Sequence, residues 1–207
     1  MSAAQGLPAQ QRGVRANEVI GDSHWLVTVL RALPALAVGL IITFMQNHSA
    51  QVGLIAFGSF AVASGAILLV GSLRTLRSGV VRGVLITQGA ISVASGATAL
   101  VLWGAGIAVL LLVVTVFAAL TGALETYAGL RARGLLPARD WLTVGVYTAV
   151  AAIVFVLIPP DAILTTGLIG AYTAILGVFL TIAGLSQKWA NDKPSDADAA
   201  DEGKASE

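Results

Sequence analysis

Six apolar runs, each roughly 20 residues long and almost free of charge, leave this chain few folds to choose from. A helix rises about 1.5 Å per residue, so some ~20 residues cross the ~30 Å hydrocarbon core of a bilayer. Backbone polar groups in lipid must be satisfied within the segment, and a helix does this without a neighbour. The runs predict spans at 25–46, 52–73, 83–103, 107–127, 141–158 and 162–185. Gly104-Ala105-Gly106 turns the third into the fourth, and Pro159-Pro160-Asp161 stops the fifth. Charged residues make up 11% of the chain, against about 25% in soluble domains. The expected fold class is all-α integral membrane, with six transmembrane helices.

Orientation follows from the cations. Lysine or arginine occurs in the N-terminal arm, in the links after the second and fourth spans, and at the C-terminal end; the three opposite links have none. Positive charge is retained on the cytoplasmic side, so both termini are expected there. The chain divides into a disordered cytoplasmic arm at 1–22, a six-helix domain at 23–188 and a disordered acidic tail at 189–207. Arg31, within two turns of the first span's start, is expected to snorkel towards the headgroups.

Small residues recur every seven positions. Gly58, Gly65 and Ser72 of the second span correspond to Thr115, Gly122 and Gly129 of the fourth and Gly170, Gly177 and Gly184 of the sixth. The odd spans carry Ala32 and Gly39, Gly89 and Gly96, and Gly145 and Ala152. A seven-residue interval keeps a residue on one helix face, drifting about 20° per repeat. Helices in lipid associate by close backbone approach, so these stripes predict packing seams. The shared pattern predicts three tandem parallel two-helix repeats, at about 25–77, 78–134 and 138–188.

The search for chemistry is largely negative. Without cysteine there is no thiolate nucleophile or thiolate metal site. H-E-x-x-H, G-x-S-x-G and phosphate-loop motifs are absent, and no cofactor, metal or catalytic residue is expected. The basic links lie too close to the membrane for nucleic acid and suit anionic lipid headgroups. Ser64, Ser92 and Thr121 are read as hydroxyls bonded to their own helix backbone. His48 and Asp161 are the titratable groups expected on the outer side, a candidate for pH sensing set against the plainer reading of solvated loop residues.

Glu125 stands apart as the one acid inside a predicted span, where the sister repeats carry Leu68 and Leu180. An intramembrane carboxylate is costly and marks a candidate site. Folding the third span against the fourth about Gly104 puts Arg82 at its depth. The expected arrangement is an Arg82–Glu125 ion pair, with Arg31 as a second cation.

Phe60, Gly65 and Arg74, repeated as Phe117, Gly122 and Arg131, together with Trp141, Gly145 and Pro159, resemble the HdeD-like family of small bacterial inner-membrane proteins. The resemblance covers about Trp25 to Lys188. It implies a non-enzymatic multi-pass protein of the bacterial inner membrane, associated with acid or general stress tolerance, and carries over no functional residue. Two rival classes stand beside it. One is a small transporter or channel using Glu125; the other is an accessory subunit of a membrane complex that binds a partner protein through the small-residue stripes or the tail, and a homo-oligomer is a further candidate assembly.

Overall fold

The computed structural model describes residues 23–76, 79–135 and 137–191. The predicted arm at 1–22 and the tail from 192 lie outside the described residues. Six helices follow one another: α1 (His24–Phe44), α2 (Ala50–Thr75), α3 (Val80–Val101), α4 (Ile107–Arg131), α5 (Ala138–Leu157) and α6 (Ala162–Asn191). All six are long and apolar enough to cross a membrane, which makes this a multi-pass membrane protein. α6 runs on to Asn191, so the expected tail boundary at 189 falls inside a helix.

Local chemistry sets several ends. Ser49 caps α2 by accepting from the Val52 N–H at 3.4 Å, and Asp161 accepts from Leu164 N–H at 2.7 Å at the start of α6. Gly106 and Gly134 hold φ of +87° and +99° in the α3–α4 and α4–α5 turns, a region that side chains with a Cβ avoid. Pro34 lies ten residues past His24 inside α1, beyond the first turn where its missing N–H would cost nothing.

The bundle is apolar outside and polar within. Phe44, Leu112, Val156 and Ile182 are exposed, while Arg31, Gln88, Thr121, Glu125 and Thr148 are buried. Water as solvent would reverse that distribution; lipid as solvent requires it.

The helices form three tight pairs, α2 with α3, α4 with α5, and α6 with α1. The closest partners are therefore not the two spans of each predicted hairpin but neighbours from successive hairpins, and α6 with α1 closes the ring. Each seam is made of the seven-residue stripes. A Cβ on Gly65 would stand 2.7 Å from Ser92 Cβ and 2.9 Å from the Gly89 carbonyl oxygen, and one on Gly96 would stand 2.7 Å from the Gly58 carbonyl oxygen. Gly122 meets the backbone of Ala149, Gly129 that of Leu142, and Gly145 that of Thr126. In the closing pair Gly39 faces the Ala174 backbone, Gly170 faces Ile42, Gly177 faces Leu36 and Gly184 faces Val29. Gly53, against Leu110 and Thr166, and Gly71, against Val27, are further close approaches that lie off the stripes.

Candidate functional site

Buried at the centre of the bundle are one anion, one cation and one amide. Glu125 of α4, 2% exposed, accepts from Arg31 Nη1 of α1 at 3.3 Å through Oε1 and from Gln88 Nε2 of α3 at 3.0 Å through Oε2. Each member comes from a different tight pair. α1 and α4 do not pack extensively against each other, so their polar contact spans the middle of the ring.

Arg31 is 8% exposed and does not reach out to the headgroups as expected. The expected Arg82–Glu125 pair is also corrected: Arg82 is half-buried and its Nη2 donates to the Leu73 carbonyl at 3.4 Å. Depth separates Arg82 from the triad. Every Cα–Cβ bond in a helix leans towards the N-terminus. Glu125 lies on a helix that runs in the opposite sense to α1 and α3, so its side chain leans into the bundle while Arg31 and Gln88 lean back to meet it. Arg82 lies only about 3 Å past Val80, about 6 Å nearer the arginine-bearing end than Glu125. From His24 to Arg31, from Val80 to Gln88, and from Glu125 to Arg131 the rises are roughly 10, 12 and 9 Å, a common depth.

The sequence carried a signal for Gln88 that charge alone did not raise. Arg31 and Gln88 each precede a stripe residue, Ala32 and Gly89, by one position, as Val144 precedes Gly145. One step is about 100° of helix rotation, which turns a side chain from the seam to the bundle's centre.

Around the triad lies a small chamber of about 10 Å³, bordered also by Ser64, Ser92, Thr121, Thr148 and Tyr172. Thr121 and Ser92 donate to the carbonyls of Phe117 and Gln88 at 2.7 and 2.8 Å, as expected of hydroxyls on packed helices. Ser64 makes no such bond among the described residues. Phe60, Phe117 and Tyr172, which occupy corresponding positions in α2, α4 and α6, line the chamber on the side away from the arginine-bearing end. Their ring centroids lie 6.4 Å (Phe60–Phe117) and 6.5 Å (Phe60–Tyr172) apart in edge-to-face contact. Tyr172 is fixed by a 3.0 Å hydrogen bond to Thr148 Oγ1 and stacks on Tyr147 at 5.3 Å.

At the arginine-bearing end, His24 is buried against Thr75 and Trp141. Its Nδ1 lies 3.0 Å from Thr75 Oγ1, and its ring meets Trp141 edge-on at 5.6 Å. A surface groove of about 340 Å³ opens between α4 and α5, with Arg133 and Arg139 at its rim. At the other end, His48 lies in the α1–α2 link and Asp161 caps α6; no hydrogen bond joins them. No group of three or more metal-ligating side chains occurs among the described residues.

The chain matches no protein-family model, no curated protein and no solved structure.

Proposed function

We propose that this chain is a non-enzymatic protein of the bacterial inner membrane that supports acid or general stress tolerance, in keeping with its HdeD-like resemblance. In this reading it consists of three tandem parallel repeats about an axis along the membrane normal, with both termini cytoplasmic. The repeat is supported by the corresponding stripes that build all three seams. The observation that supports the non-transport reading is the size of the central chamber: about 10 Å³ is too small to hold a solute. The arginine-rimmed groove between α4 and α5 supports contact with anionic headgroups on the cytoplasmic side.

The test is a deletion strain carried through a rapid acid shift beside its parent. Growth should lag and internal pH should recover more slowly, both restored by the intact gene. Superimposable curves would sink the stress role.

A second reading, a small transporter or channel, draws on one observation: Glu125 is an intramembrane carboxylate held by side chains from two other helices. Under it, solute or proton flux in reconstituted vesicles would depend on Glu125 and vanish in Glu125→Gln.

A further inference from the structure

Two buried atoms beside the central chamber have no hydrogen-bond partner among the described residues: Arg31 Nε and Gln88 Oε1. One is a donor and the other an acceptor. Neither side chain can turn to satisfy itself elsewhere. Gln88 has committed its amide N–H to the Glu125 carboxylate; flipping it would set oxygen against oxygen, since a carboxylate only accepts. Arg31 is held through Nη1 by the same carboxylate.

We propose that the chamber is a binding site for a single water molecule, accepting from Arg31 Nε–H and donating to Gln88 Oε1. Its second proton is directed to the Ser64 hydroxyl, which borders the same space. The volume sets the ligand's size: about 10 Å³ is the least room that holds one water. Charge sets its class. Arg31 and Glu125 cancel formally, so the surroundings favour a neutral hydrogen-bonding molecule over an ion, whose desolvation nothing would offset. A buried water also needs two to four polar partners, and these walls supply them.

The decisive measurement is an experimental structure of the full chain at a resolution that shows ordered waters. One isolated density peak within hydrogen-bond distance of both Arg31 Nε and Gln88 Oε1 is expected; an empty chamber, or density for a larger species, would overturn the assignment. Radiolytic hydroxyl-radical labelling in lipid nanodiscs reads the same site independently. Phe60 and Phe117 border the chamber and Phe57 does not, although all three rings are buried. Phe60 and Phe117 should label several-fold faster than Phe57, and Gln88→Leu, which removes the acceptor and fills the space, should erase the difference. Equal labelling in the wild type, or a difference that survives Gln88→Leu, would show that no such water is held. If Gln88→Leu fails to fold, the wild-type comparison still decides.

Discussion

Arg31 Nη1 lies 3.3 Å from Glu125 Oε1, joining residues 94 positions apart on helices that otherwise scarcely touch. The contact makes the two charges tenable at that depth, and its removal exposes the cost of each. Arg31→Leu should leave Glu125 with Gln88 alone, while Glu125→Leu should leave both Arg31 and Gln88 without their acceptor. Breaking a buried pair costs about 3–5 kcal/mol, so both variants should melt well below wild type in detergent. The double variant should lose less than the sum of the two, with a coupling on the order of 0.5–3 kcal/mol. Arg82→Leu should combine additively with Glu125→Leu, because Arg82 faces the Leu73 carbonyl.

The seam glycines give a contrast within one residue type. A Cβ on Gly122 would stand 2.6 Å from the Ala149 nitrogen, and one on Gly145 would overlap the Thr126 nitrogen, both backbone atoms that cannot swing aside. Gly122→Ala and Gly145→Ala should each destabilise by about 1–3 kcal/mol. Gly167, inside α6, has nothing within 4 Å of its would-be Cβ. Gly167→Ala should be neutral, or stabilising by up to ~1 kcal/mol through helix propensity. Thermal unfolding of the three variants in one detergent checks the ordering.

His24 has a determinate tautomer. The Thr75 hydroxyl donates its one proton to the Gly71 carbonyl at 2.8 Å, so towards His24 it can only accept. Nδ1 must therefore carry the ring proton when the imidazole is neutral. Nitrogen-15 NMR of labelled protein should show the Nδ1–H form, and Thr75→Val should destabilise by about 1–2 kcal/mol. An Nε2–H ring would require the Thr75 bond to be redrawn.

Orientation is open to chemical labelling. Cysteines introduced at Gln46 and Ala105, both exposed, should react from outside intact cells with a membrane-impermeant thiol reagent. Cysteines at Arg133 and Trp189, exposed at the arginine-bearing end, should react only after the cells are opened. Labelling of Arg133→Cys in intact cells would invert the topology.

The legible parts of this fold are those written in period and length. Apolar length located six helices, because a bilayer demands a minimum span. The seven-residue stripes marked contacting faces but not which helices would share them, since a flat stripe fits any other flat stripe. Hence α2 meets α3 more closely than its hairpin partner α1, a choice made by the assembled ring. Glu125 announced itself by its cost in lipid. Arg31 is legible as a second cation for it; Arg82 misled because it starts about 6 Å nearer the helix end than Glu125, and Gln88 drew no notice because an amide carries no charge.

The ring's closure also sets a timetable. α1 leaves the ribosome before the other five helices, and the acid that meets Arg31 lies 94 residues downstream. At about 5–20 residues per second, synthesis must run for roughly 5–20 s before the countercharge exists. The partner seam of α1, on α6, is made later still. Until Glu125 is made, α1 has its neighbour α2 but neither its α6 seam nor a countercharge for the guanidinium. A slower-translated message lengthens that interval in proportion.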